Sequence, residues 1–269
     1  MLRYQRINGV RLENTNGLPT IQRTPEGAAM GAVPGWVDLI DPDYMNVDEG
    51  WVRNRAAARS KYPNVATPAV VSQFPNGASA FQMLSGQTLR IESDAVAPAI
   101  DPTQWSVFTV CMPQPIDGGS GVDSVCVLRG QDNSLSLIGL RVDFTRDFGS
   151  PTIRTYNQYG ISVQNPARLS YNGLNIYTLS EPALVMFTGS TRDGLRIFVN
   201  GEEVAAAPSD KRPLEIGYEG GENQRAYFRG ARGLFGMTGA LSIDLGWAEH
   251  AGYRRAIEAF LMGKYQIGG

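Results

Sequence analysis

The chain of 269 residues carries one histidine and two cysteines. A single imidazole excludes a multihistidine metal centre within one chain. It also leaves His250 as the sole base open to a Ser-His-acid or Cys-His catalyst, and helix-end hydrogen bonding is the simpler role for it. Cys111 and Cys126 make no metal-ligand cluster and no Cys-x-x-Cys redox motif. Each sits in a strand-like run, "WSVFTVCMP" and "DSVCVLRG". Free, buried thiols are expected ahead of a disulfide, which needs the two runs to pair at bonding distance.

An excess of charge is missing too. Lysine and arginine number 24 against 26 acidic residues, a net charge of −2. Such balance gives no long-range pull toward nucleic acid or an anionic membrane, and no basic cluster marks a nucleic-acid face. No run approaches the roughly 18 apolar residues of a membrane-crossing helix. The opening "MLRYQRINGVRLENTNG" lacks the apolar segment of a secretory signal. Neither nucleic acid nor membrane is therefore expected as a partner. The glycine-rich pieces "SGQTLRI", "GGSGVDS" and "EGGENQ" lack the lysine of a phosphate loop and the following strand-to-helix unit. They read as connections between strands, and no cofactor is expected.

What the chain does contain is enough apolar sequence, 42% of residues, for one substantial core. Thirty-one glycines and sixteen prolines supply many turns. Two regions divide it. Residues 1–34 show neither sustained alternation nor a helical stripe and read as an extended arm or a series of turns. The arm is either a flexible terminus or a segment ordered against a neighbouring subunit, with Leu2, Val10, Leu12, Leu18 and Ile21 as apolar anchors. Residues 35–269 read as one folding unit. Trp36 and Trp51 are expected to cover the edge of its core, and a short helical piece is expected near Arg53–Arg59.

After Pro68 short strand-like runs follow one another. They include "AVVSQF", "SAFQML", "TLRIES", "QWSVFTVCM", "DSVCVLR", "SLSLIGLRVDF", "PTIRTY", "LNIYTL", "PALVMFTG", "LRIFVNG", "LEIGYE" and "GALSIDLG". Their lengths and turn intervals suit an antiparallel sandwich or barrel rather than a parallel sheet, which needs intervening helices. In "GLRIFVNGEEV", Leu195, Ile197 and Val199 share one side while Arg196, Phe198 and Asn200 share the other. Asn200-Gly201 is the tight-turn candidate. "SVFTVCM" and "PALVMFTG" are apolar on both sides, the pattern of central strands covered on two faces. Only the end reads as helix. Tyr253, Ala256, Ile257, Phe260 and Leu261 form its stripe, Arg254 and Glu258 an i,i+4 pair on the other side, and Gly263 a C-terminal stop with Lys264 beside it.

The pieces "PNGASAFQMLSGQTLRI", "QWSVFTVCMP", "ALVMFTGSTRDGLRIFVNGEEV" and "GALSIDLGWAEHAGYRRAIEAFLMGKY" carry a resemblance across residues 36–265. In them the chain resembles concanavalin A-like, laminin-G-type jelly rolls of phage particles and bacterial surfaces. The fold this implies is all-β: an antiparallel jelly-roll sandwich with an extended N-terminal arm and a C-terminal helix. The resemblance leads to the expectation of a noncatalytic virion structural protein, a capsid decoration or fibre-associated subunit assembled in the host cytoplasm. Its partners would be a phage capsid or tail protein and copies of itself in a homo-oligomer.

Two other functions remain open. A carbohydrate-binding host-attachment domain would use aromatic faces and directional amides, here Tyr156, Asn157 and Tyr159 of "RTYNQYGISVQN" and Tyr171, Asn172 and Tyr177 of "LSYNGLNIY". Sheet-edge tyrosines and Asn-Gly turns explain the same residues without a ligand. A jelly-roll glycan hydrolase needs two carboxylates flanking the scissile bond. Asp143, Asp147, Asp244, Glu202 and Glu203 are too scattered to form an assignable pair, so no catalytic residue is named. Asp193 before Gly194, and Asp132 with Asn133, offer too few fixed ligands for a metal ion. They read as turns.

Overall fold

The computed structural model describes residues 24–46, 51–56, 61–63, 70–84, 89–91, 100–114, 122–129, 139–147, 150–158, 167–209, 211, 213, 225–229 and 232–268. Helix α1 (Pro25–Gly31) comes first. The strands then run β1 (Trp36–Ile40), β2 (Met45–Asn46), β3 (Trp51–Arg53), β4 (Lys61–Pro63), β5 (Val70–Gln73) and β6 (Ser79–Met83). They continue as β7 (Leu89–Ile91), β8 (Gln104–Pro113), β9 (Val122–Arg129), β10 (Gly139–Asp147), β11 (Ser150–Gln158) and β12 (Ala167–Tyr171). The last are β13 (Ala183–Ser190), β14 (Gly194–Val199), β15 (Glu202–Ala207), β16 (Arg225–Arg229) and β17 (Gly233–Leu241), before helix α2 (Ala251–Tyr265).

These strands make an antiparallel jelly-roll sandwich. One sheet runs β15-β14-β13-β8-β17-β6-β5, with β1 pairing β17 beyond the stretch that pairs β6. The second runs β12-β11-β10-β9-β16-β7, and β2-β3-β4 form a small third sheet. Between the two large sheets lies a core to which one contributes Val107, Phe187 and Ile197 and the other Val142, Phe144, Ile153 and Phe228. The outer face of the first sheet is covered as well. Phe108, Val110, Leu184, Met186 and Phe198 meet Met30, Val33, Ile257, Leu261 and Tyr265 from the helical layer. Cover on both faces is why β8 and β13 carry apolar residues on both sides rather than alternating. Each side chain so buried contributes roughly 1.5–3 kcal/mol before entropy is counted.

The Asn200-Gly201 hairpin forms as its sequence predicts. Both residues have positive φ, 50° and 86°, and Val199 pairs with Glu202 across the turn. The Asn200 side chain then accepts from Leu184 N at 2.8 Å, tying the turn to β13. Phe198, on the more polar side of β14, lies beneath the Arg254 guanidinium at 4.1 Å.

Several local expectations give way to the structure. "LNIYTL" is a 3-10 turn at Ile176–Thr178, because Asn175 Oδ1 accepts from Tyr177 N and starts a turn there. In the piece expected to be helical near Arg53–Arg59, Arg53 ends strand β3 and irregular backbone runs through Ala56, while residues 57–59 lie outside the described residues. In "GALSIDLG" the strand stops at Leu241 and begins earlier, at Gly233. Residues 24–33, read as arm, hold α1. Thr24 caps it through Gly27 N, and Met30 and Val33 are buried against α2 and its neighbours. Two apolar contacts are too short a signal for a helical stripe. The anchors Leu2, Val10, Leu12, Leu18 and Ile21 lie outside the described residues, as does "LEIGYE".

Helix α2 differs from its expected form in two respects. Arg254 and Glu258 do pair, Nε to Oε1 at 3.5 Å, but on the buried side, with Glu258 only 7% exposed. The helix also passes Gly263 and ends at Tyr265, with Gln266 in the left-handed region. Lys264 is committed there. It bonds Asp41 Oδ1 and Asp43 Oδ2, each at 2.8 Å, while Arg55 holds the other oxygen of Asp41 at 2.7 Å. Burial pushes the Asp43 carboxyl up, but Lys264 and Ser79 outweigh it and leave the pKa lowered. The cluster joins α2 to the segment after β1. Trp36 covers the core edge as expected, meeting Phe108 edge-on at 5.9 Å.

The two cysteine runs do not pair. β8 belongs to the first large sheet and β9 to the second. Cys111 is a free thiol, fully buried, and burial pushes its pKa far up. Because the thiolate is the reactive form, Cys111 in a Cys126→Ser background should resist a water-soluble disulfide reagent at pH 8 until denaturant is added. Rapid labelling of the native protein would contradict this burial.

Candidate functional site

Of the residues chosen from sequence for a glycan site, those described lie on β11, at the end of β12 and in the link that follows it. Tyr156 and Asn157 lie on β11, opposite Arg168 and Ala167 of β12, while Tyr171 stands opposite Ile153, three residues along the ladder. That separation is about 10 Å along a strand. Tyr159 is outside the described residues, as are the side chains of Tyr156 and Asn157. Tyr171, Asn172 and Tyr177 do fall together, in the link from β12 to β13. There Tyr171 and Tyr177 are half-buried and pack on the main core, and Asn172 is exposed. Tyr171 folds over Gly173, where an added Cβ would strike its ring. Those tyrosines spend much of their ring area on the sandwich itself.

A second aromatic group lies at the rim, where two loops meet. One is the β13–β14 turn, Thr191–Asp193, held by Thr191 N donating to Thr103 O at 2.9 Å and Asp193 N to Ser190 Oγ at 2.9 Å. The other links β17 to α2. Ser106 of β8 pins it twice, its hydroxyl donating to Ile243 O at 2.7 Å and accepting from Leu245 N at 2.9 Å. These anchors bring Arg192 of the first loop over the Trp247 ring of the second, with the guanidinium carbon 3.9 Å from the ring centroid. Trp247 meets His250 edge-on at 4.9 Å, and His250 lies 5.9 Å from Tyr253. The result is a ladder of four planar groups, Arg192, Trp247, His250 and Tyr253. Its ends face solvent: Arg192 is exposed, and Tyr253 is 40% exposed.

His250 Nδ1 lies 2.7 Å from Asp244 O. A carbonyl only accepts, so Nδ1 carries a proton, and in the neutral ring Nε2 is left as an acceptor. The imidazole therefore bonds a loop carbonyl and makes no side-chain cap on α2. Beneath the ladder, Asp244 is 1% exposed and its Oδ1 accepts from Gly246 N at 2.8 Å. Burial pushes its pKa up and the Asp193 charge adds to the rise, while the Ser190, Gly246 and Thr188 donors pull it back. So buried a carboxyl cannot reach a substrate. Glu202 and Glu203 lie on the exposed start of β15, where Glu203 takes Arg196 at 2.9 Å. The side chains of Asp143 and Asp147 lie outside the described residues. Among those described, no group of three or more His, Cys, Asp or Glu gathers to hold a metal, and no helix is long and apolar enough to cross a membrane.

Sequence reading treats His250 by itself and passes over Arg192 and Trp247. The available signal is the spacing of "WAEHAGY", with aromatic or imidazole rings at Trp247, His250 and Tyr253. That three-residue repeat aligns side chains once the chain turns helical.

The fold is shared with solved β-sandwich domains. Solved structures with this fold include the botulinum neurotoxin serotype D ligand-binding domain in complex with N-acetylneuraminic acid, at a TM-score of 0.60 and 8% identity over 87% of this chain and 52% of that one. The binding domain of botulinum neurotoxin DC in complex with SialylT gives 0.58 and 5%, over 86% and 52%. The serotype C1 binding domain gives 0.58 and 7%, over 86% and 52%. These neighbours are binding rather than catalytic domains, and this chain spans about half the length of each. No protein-family model matches the chain, and no curated protein matches it.

Proposed function

We propose that this chain is a noncatalytic carbohydrate-binding module and that it takes acidic glycans along the rim ladder. One observation carries the reading: Arg192, Trp247, His250 and Tyr253 contact one another in sequence from an exposed guanidinium to an exposed ring. Sugar recognition needs an apolar ring face beside directional polar groups, and Tyr253 with His250 Nε2 supplies both. Arg192, held flat by Trp247, presents a preorganised fork suited to a carboxylate. The glycan ligands of the structural neighbours support this choice over a particle subunit. They belong to whole domains of which this chain matches half, so they do not place the site. The virion reading, with a capsid or tail partner and host-cytoplasm assembly, rests on the sequence resemblance.

The test is a binding comparison of sialylated and neutral oligosaccharides with the wild-type chain, Arg192→Ala and Tyr253→Ala. Each substitution should weaken binding of the acidic glycan at least about tenfold, or about 1.4 kcal/mol, at unchanged Tm. Arg192→Ala alone should erase the preference for acidic over neutral sugar. Absence of glycan binding by the wild type, or loss of binding through Tyr171→Ala and Tyr177→Ala instead, would overturn the assignment.

A further inference from the structure

Asparagine followed by glycine is the pair most prone to cyclise on itself, because glycine brings no side chain to shield its nitrogen and its backbone turns freely. The sequence holds five such pairs, starting at Asn8, Asn16, Asn76, Asn172 and Asn200. The first two lie outside the described residues. At Asn76 both ends of the side chain are taken: Nδ2 donates to Tyr265 O, and Oδ1 accepts from Ala78 N at 3.1 Å. At Asn200, Oδ1 accepts from Leu184 N at 2.8 Å, which turns the side chain back on β13. Asn172 differs from both. It is the first residue past the last β11–β12 pair, Ile153 with Tyr171, and both it and Gly173 are exposed. Among the described residues, nothing bonds its side chain or the Gly173 N–H. Gly173 is also fixed as glycine, since a Cβ there would strike the Tyr171 ring.

We infer that Asn172-Gly173 is a site of spontaneous deamidation, with water as the co-reactant. The Gly173 nitrogen loses its proton and bonds to Asn172 Cγ, closing a five-membered ring. The Cγ–Nδ2 bond breaks, and ammonia leaves with that proton. Water then opens the succinimide. Attack at Cγ gives aspartate with the ordinary backbone, and attack at the α-carbonyl carbon gives isoaspartate, whose backbone runs through Cβ and Cγ. The sum is one water taken up and one ammonia released, with no oxidant or reductant. Ring closure requires the backbone to swing onto the side chain. A strand ladder or a bonded side-chain amide resists that swing, and Asn172 lies past the one and lacks the other. The product carries a new negative charge in the link from β12 to β13. In the isoaspartate form the backbone between Tyr171 and Leu174, both packed on the core, is longer by one atom. None of the ladder residues takes part, so the site does not depend on the glycan reading.

The experiment holds the purified chain at mildly alkaline pH and body temperature for several weeks, folded and in urea, and maps its tryptic peptides by mass. Cleavage puts Asn76, Asn172 and Asn200 in separate peptides, residues 62–90, 169–192 and 197–211. In the folded chain Asn172 should convert at least about tenfold faster than either of the others, the margin that one or two side-chain hydrogen bonds supply. In urea the three rates should draw together, since each asparagine is followed by glycine. The Asn172 product should include isoaspartate, read by enzymatic methylation of the isolated peptide. Asn172→Gln should leave its peptide unconverted at unchanged Tm, which assigns the reaction to Asn172 and not to Asn175 beside it. A folded-state rate at Asn172 no higher than at Asn76 or Asn200, conversion retained in Asn172→Gln, or aspartate formed without isoaspartate would each overturn the site.

Discussion

Tyr265→Ala is expected to lower the unfolding free energy by about 3–5 kcal/mol, the range for deleting a large buried aromatic. Tyr265→Phe should cost about 1–3 kcal/mol by leaving a buried donor unmatched. The reason begins in β17. Its register against β8 shifts between Phe235 and Thr238, and at that irregularity the Tyr265 hydroxyl accepts from Met237 N at 2.7 Å. Gly236 makes room, since a Cβ there would meet the Tyr265 ring at 2.8 Å. On its other side the ring meets Phe74 edge-on at 5.6 Å. Burial, with Asp41 adding to it, pushes the phenol pKa far up, so the hydroxyl stays neutral throughout the working range. One side chain from the last helical turn thus completes the hydrogen bonding of a central strand. Urea unfolding of the two variants checks it, with the slope against denaturant unchanged if only stability moves.

Gly194→Ala should be the most damaging small substitution at the rim. Gly194 has φ +88°, and an added Cβ would strike the backbone of Ala207, Pro208 and Ser209. Positive φ in a residue with a side chain costs about 1–3 kcal/mol, and the atoms it would strike are all backbone, so no flexible side chain can yield. The total should exceed the conformational cost alone. Gly77→Ala isolates that cost, because Gly77 has φ +83° with nothing within 4 Å of its would-be Cβ. The excess of the first variant over the second in a melt measures the clash. Gly194→Ala should also weaken glycan binding, because the displaced turn carries Arg192. Equal losses in the two variants would show that the β14–β15 backbone gives way.

The sandwich was legible because its signals are local. Asn200-Gly201 specifies a tight turn wherever it occurs, and alternation in "LRIFV" survives into the structure because β14 has a real inside and outside. The double-sided strands β8 and β13 were legible for the opposite reason, since a run with apolar residues on both sides needs cover on both faces. What escaped were features made by distant contact. The short α1 is a helix because Met30 and Val33 find α2. Strand β17 was misplaced at both ends, Gly236 and Gly239 being set by the rings of Tyr265 and Phe108 rather than by strand propensity. The ladder brings together residues 192 and 247, and neither side chain announces the other. Of the tyrosines picked from sequence, Tyr171 and Tyr177 lie together in the chain after β12 and pack on the core.

The most direct test follows the indole N–H signals of Trp36, Trp51, Trp105 and Trp247 by nitrogen-15 NMR during titration with a sialylated oligosaccharide, using Trp247→Phe to assign the fourth. A rim site predicts that the Trp247 signal moves saturably and that Trp105, buried in the core, stays fixed. Four unmoved signals at saturating sugar, with perturbations confined to the Tyr171–Tyr177 link or absent altogether, would contradict it.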